Sequence, residues 1–149
     1  MSVIRFACSE SELYPRLAGL ARDAREKAYC PYSGYAVGAV LLCSERGEDG
    51  SYFAVTGCNV ENASFPAGIC AERTALFAAV TEGFREFSAL LLCGGKAGED
   101  PSDFCLPCGI CRQALCEFCP DSLPVISSAG GEMRHYTLGG LLPEAFRSF

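Results

Sequence analysis

The chain has 149 residues, half of them hydrophobic and a fifth charged, which suits one compact domain with a true core and leaves little for a second. Its formal net charge of −6 argues against nucleic acid as a partner, because binding a phosphate backbone relies on clustered Lys and Arg. No run reaches membrane-span length, and residues 1–8 carry no basic patch leading into an apolar core, so the expectation is a cytoplasmic protein with no membrane partner and a small soluble substrate.

Helix and strand signals alternate, with no internal repeat and no linker separating two cores. A first helix is predicted over 11–28: Ser9 and Glu12 have capping-box spacing, and Leu13, Leu17, Leu20 and Ala24 form an apolar stripe. Pro31 ends it, and Pro15 keeps its start at Ser11 or later. Residues 37–43 and 52–57 are β-rich and joined by the polar, glycine-containing segment 44–50, which reads as a hairpin. The irregular stretch 59–69, rich in Asn, Ser, Gly and Pro, precedes a second helix over 71–82 that Gly83 stops. An apolar run over 88–93 has the look of a buried strand, and after a glycine-rich acidic loop a third helix spans 108–118. Two short strands, 124–128 and 134–137, flank Gly130-Gly131, and the tail 138–149 has room for a last short helix. The order predicts an α/β fold, a three-layer α/β/α sandwich around a mixed five-stranded sheet, in a single domain over 1–149.

Eleven cysteines would suggest a disulfide scaffold in a secreted chain, but the odd count and the lack of an export signal favour reduced thiols or metal ligands. Seven of them, Cys8, Cys30, Cys43, Cys58, Cys93, Cys105 and Cys116, stand singly among apolar neighbours or near turns, where a free cysteine acts as a small hydrophobe. The chemistry concentrates at the starts of the second and third helices, in Cys70-Ala71-Glu72-Arg73 and Pro107-Cys108-Gly109-Ile110-Cys111-Arg112-Gln113. A helix N-terminus carries partial positive charge and unpaired N–H groups, which makes thiolates easier to form there. Cys108 and Cys111 can reach one metal ion from a single helical turn; with Cys70 from the other helix they would leave one coordination position open, the arrangement of a catalytic zinc site. Glu72, two residues after Cys70, can lie beside the metal without occupying it, the position of a general base.

A Pro-Cys-x-x-Cys paired with a non-ligand glutamate is the known signature of zinc deaminases. The chain resembles the small homo-oligomeric cytidine deaminases through most of its length: in 32–39 (YSGYAVGA), 57–64 (GCNVENAS), 70–75 (CAERTA) and 141–146 (LLPEAF). The resemblance implies one zinc per chain held by Cys70, Cys108 and Cys111, Glu72 as proton shuttle, and hydrolytic deamination of cytidine and 2'-deoxycytidine in pyrimidine salvage. It further implies that Asn59 and Glu61 bind the ribose hydroxyls, that Arg73 hydrogen-bonds the ligand sulfurs, and that the chain forms a homotetramer in which Phe146 enters a neighbour's site. Tyr35 stands where the family usually places a phenylalanine against the pyrimidine, and its extra hydroxyl needs a partner; Phe65 stands where relatives often have tyrosine.

Two other readings compete. Cys105, Cys108 and Cys111 form C-x-x-C-x-x-C with Cys116 and Cys119 beyond, the outline of an iron-sulfur or structural zinc module, although this leaves 59–72 without a purpose. A deaminase of a modified cytosine nucleoside such as blasticidin S is the nearest enzymatic rival. The lone His135, in a polar segment near a glycine turn, is given no role.

Overall fold

Alternation along the two longest strands sets the architecture. In β2 (Tyr35–Arg46), Ala39, Leu41 and Cys43 point into one apolar cluster while Val40 and Leu42 point into the other. In β4 (Phe87–Lys96), Leu90 and Leu92 oppose Ala89, Leu91 and Cys93 in the same way. Side chains of a strand alternate between faces, so strands apolar on both faces must be covered on both. The computed structural model, which describes residues 2–148, supplies the two covers. Helix α1 (Glu10–Arg25) lies on one face; α2 (Ala71–Thr81), α3 (Gly109–Cys116) and the short α4 (Leu138–Leu141) lie on the other.

The predicted three-layer α/β sandwich with a mixed sheet is therefore present, but the sheet has six strands rather than five. Its order is β1-β3-β2-β4-β5-β6, with β1 Val3–Phe6, β3 Tyr52–Cys58, β5 Pro124–Ala129 and β6 Glu132–Thr137. The missed strand, β1, pairs antiparallel with β3 from Val3↔Val55 to Phe6↔Tyr52; four residues are too few for periodicity to reveal. The hairpin of β2 and β3 is antiparallel as predicted, and β4 pairs with β5 in parallel. Helix α1 begins at Glu10, one residue before its predicted limit, with the Glu12 carboxylate accepting from Ser9 N at 3.0 Å and Ser9 Oγ at 2.6 Å. It ends at Arg25, whose buried guanidinium donates to the Ala36 carbonyl at 3.2 Å and the Lys96 carbonyl at 2.6 Å, tying α1 to β2 and β4. No helix among the described residues is long and apolar enough to cross a membrane.

Two glycines let the helices approach the sheet. A Cβ on Gly38 would meet the Ala21 carbonyl oxygen at 1.9 Å, and one on Gly57 would meet Ala75 N at 2.4 Å and Ala71 O at 2.5 Å. These neighbours are backbone, so they cannot swing aside. We expect Gly57→Ala to lower the unfolding free energy by roughly 1–3 kcal/mol in urea titrations, through overpacking of α2. Gly19→Ala, within α1 and with nothing within 4 Å of the added methyl, should instead raise stability by up to about 1 kcal/mol.

Candidate active site

Cys70 is the N-cap of α2 and Cys108 the N-cap of α3, both with extended backbone, while Cys111 lies in the first turn of α3. Their sulfurs all fall within 4.8 Å of one another, and Cys70 Sγ is 3.8 Å from Cys108 Sγ. A tetrahedral zinc with Zn–S bonds near 2.3 Å places two sulfurs about 3.8 Å apart, so the donor set and its spacing fit that ion. Among the described residues no fourth His, Cys, Asp or Glu joins this group. Cys111 is fully buried and Cys108 exposed, so the cluster spans the boundary between core and solvent.

Two cations of different kinds face the sulfurs. One is the partial charge of the two helix N-termini. The other is Arg73, whose Nη2 lies 4.0 Å from Cys70 Sγ and which also reaches Cys111. Hydrogen bonding from the neighbouring thiols, together with the Arg73 guanidinium, draws the Cys70 thiol well below the usual thiol range. Glu72, only 5% exposed, is pushed up to about 7, first by desolvation and further by the charge of Cys70. A carboxyl group in that range can both take up and return a proton near neutrality.

Glu72 and Cys70 line a pocket of about 170 Å³ together with Tyr35, Asn59, Leu92 and Cys105. Asn59 is fixed from both ends, its Oδ1 accepting from Val37 N at 2.8 Å and its Nδ2 donating to Tyr35 O at 2.9 Å. Burial, with Cys105 and Asp103 nearby, raises the Tyr35 phenol to about 12. Glu61 is half-buried and outside the pocket lining: its carboxylate accepts from Ser33 Oγ, from Tyr32 N at 2.9 Å and from Ser33 N at 3.1 Å, which holds it below the usual carboxylate range. Phe146 is 60% exposed and also outside the lining, and its carbonyl accepts from Gln113 Nε2 at 2.6 Å.

Comparison with known proteins accounts for this arrangement. Residues 11–127 match the model of the cytidine and deoxycytidylate deaminase zinc-binding region. The chain belongs to that family. A cytidine deaminase of Sporosarcina psychrophila is 42% identical over 132 residues, 88% of this chain and 89% of that one. The crystal structure of a cytidine deaminase from Burkholderia pseudomallei superimposes with a TM-score of 0.75 at 41% identity, covering 89% of this chain and 98% of that one. That of the Mycobacterium tuberculosis cytidine deaminase gives 0.69 at 37% identity, covering 89% and 96%.

Membership in a zinc-binding family, with three converging thiols, gives the chain one zinc site. The iron-sulfur reading loses its geometric basis, since Cys105 stands outside the thiol trio and Cys116 and Cys119 pack into the core at the far end of α3. His135 is exposed on β6, where Ile126 of β5 is its cross-strand partner and its ring edge meets Tyr14 at 5.8 Å.

The sequence reading missed Cys105, which it took for ordinary packing. The thiol lines the pocket beside Tyr35, and both occupy the space that a side chain at Gly94 would fill: a Cβ there would lie 2.7 Å from Cys105 Sγ and 3.2 Å from the Tyr35 hydroxyl. The one available signal was its place in the loop leading to Cys108. Gly94→Ala should therefore cost roughly 1–3 kcal/mol of stability by overpacking. Adding Cys105→Ala should return part of that loss, a coupling that a double-mutant cycle of urea titrations measures.

Proposed function

We propose that the protein, a single domain over its 149 residues, hydrolyses the exocyclic amine of cytidine and 2'-deoxycytidine to give uridine or 2'-deoxyuridine and ammonia, serving pyrimidine salvage in the cytoplasm. One observation carries the reading: three converging thiols with a buried Glu72 beside them, at the edge of a pocket that Tyr35 and Asn59 also line. The relatives named as cytidine deaminases, matched over most of their lengths, support it.

Cys70, Cys108 and Cys111 are the ligands of the zinc. When bound, zinc supplies a Lewis acid that makes water a competent nucleophile near neutral pH. Glu72 would take one proton from the water that adds to C4 and pass it to ring N3, then take the second from the hydroxyl now on C4 and deliver it to the amine, so that C4–N breaks as the C4 carbonyl forms and ammonia leaves. Arg73 draws charge from the thiolates that would otherwise blunt the Lewis acid.

The pocket, at about 170 Å³, suits a ring rather than a whole nucleoside, so the sugar rests at its mouth. Tyr35 packs against the pyrimidine. The Asn59 amide, after its two bonds to β2, keeps one N–H and one lone pair for a ribose hydroxyl. Glu61 accepts from a second hydroxyl with the one lone pair that the 32–33 turn leaves open. In a homotetramer Phe146, exposed in the single chain, completes a neighbour's site.

The ultraviolet change on mixing purified protein with cytidine tests the substrate, and sedimentation tests the tetramer. We expect turnover that falls by roughly 10²–10⁴-fold in Glu72→Gln while zinc content stays at one per chain. Native, zinc-loaded protein that leaves cytidine unchanged would refute the assignment. Arg73→Ala should lower both turnover and zinc retention; if neither moves, its charge-withdrawing role is wrong.

A further inference from the structure

Helix α3 presents two of the three thiols, yet it has only eight residues and its first turn is a loop-to-helix junction. Something other than helix propensity must hold that junction, because short helices are marginal alone. Arg112, immediately after Cys111, grips it from both sides. Its backbone N–H donates to the Cys108 carbonyl at 3.0 Å, and its Nε donates to the Pro107 carbonyl at 2.7 Å. The peptide that carries Cys108 is thus clamped at each end by one residue.

The other arm of the same guanidinium points elsewhere. Arg112 Nη1 donates at 2.7 Å to the carbonyl of Leu141, the last residue of α4, a group that the end of a helix leaves without an internal partner. The tail beyond follows α3 in the same manner. Gln113 Nε2 donates to the Phe146 carbonyl at 2.6 Å, and Arg147 Nη1 donates to the Cys116 and Cys119 carbonyls at 2.7 and 3.2 Å while its other arm pairs with Asp121. Leu138, Leu141, Leu142 and Ala145 add apolar contacts to the core cluster that α3 shares.

We propose that Arg112 is a positioning residue that splints the metal-ligand turn of α3 to the C-terminal segment, so that retention of zinc and order of residues 138–148 are one coupled property. The inference rests on the reading of Cys108 and Cys111 as zinc ligands and adds to it a residue that touches neither metal nor substrate. Lysine cannot replace the planar fork, since one ammonium cannot reach two carbonyls held in a fixed geometry by two separate nitrogens. Coupling runs in both directions: loosening the tail should release the metal, and removing the metal should loosen the tail.

The test uses full-length holoprotein and compares native chain, Arg112→Lys, Arg112→Ala and Gln113→Ala. Zinc release to a chromophoric chelator gives one readout, the visible absorption of cobalt(II)-substituted protein a second, and hydrogen exchange of residues 138–148 a third. We expect release to quicken about 10–100-fold in Arg112→Ala, as when outer partners of metal ligands are lost, and Arg112→Lys to restore only part of the difference. The cobalt bands, which report thiolate geometry, should shift in both Arg112 variants. Exchange in 138–148 should rise in every variant and also in native protein stripped of zinc. If Arg112→Ala fails to fold, Arg112→Lys and the surface variant Gln113→Ala carry the test. Folded variants with native release rates and cobalt bands overturn the inference alone, with the ligand assignment intact; native protein that binds no zinc, or a Cys108→Ser variant that holds it as tightly, overturns the ligand assignment and this inference with it.

Discussion

Negative charge gathered in a small volume is the constraint on which this site depends. Two unit charges 4 Å apart repel by about 4 kcal/mol at an effective dielectric of 20, and here the Cys70 and Cys108 sulfurs stand 3.8 Å apart with Cys111 and the Glu72 carboxyl close by. The chain answers with every cationic device available to it. Two helix N-termini end at the cluster, Arg73 lies against Cys70 Sγ, and burial beside this charge pushes the Glu72 carboxyl upward. A divalent ion completes that balance, which is why the same residues read as a zinc site rather than as a cluster of buried thiols.

Topology explains why the thiols meet. β2 is antiparallel to both β3 and β4, so β3 and β4 run the same way, and α2 is the crossover between them. β4 and β5 are parallel neighbours, and α3 is their crossover. Both helices therefore start beyond the carboxyl ends of parallel strands, on one edge of the sheet and on one face, where ligands of α/β proteins habitually bind. Gly57 then sets how deeply α2 sits, since the backbone of its first turns occupies the space a side chain would take. The position of Cys70 and Glu72 is thus fixed by a residue thirteen positions before the thiol.

Most of the fold was legible because its strands and helices carry strong periodic signals. The stripe on α1, the paired β-rich runs around 44–50 and the stop at Gly83, which has a φ of +99°, each lie within a few residues of where local chemistry put them. Strand β1 escaped because it is short and at the edge, and β4 was read too short because Gly94 and Gly95, just before its end at Lys96, carry no side chains to alternate. The thiols and Glu72 were legible because metal chemistry demands few residue types at restricted spacing. Cys105 was not, because its meaning lies in meeting Tyr35 above Gly94, and nothing local distinguishes it from the other small apolar thiols.

What the sequence hides most thoroughly is a set of long-range bonds from side chains to backbone. Asn59 extends β2 as a strand neighbour would, Glu61 caps the turn at 32–33, Arg25 bridges β2 and β4, and Arg112 joins the approach to Cys108 with the end of α4. Each satisfies backbone groups that irregular chain would leave to water, and so holds a loop to nearly the precision of a regular element. Such residues look like ordinary polar surface until the fold is known, because their partners are backbone atoms with no sequence of their own. The polar residues around this site therefore serve two masters: the same Asn59 and Glu61 that face outward toward a sugar in the proposed reaction first build the wall from which they act, and substitutions there should disturb local structure and binding together rather than binding alone.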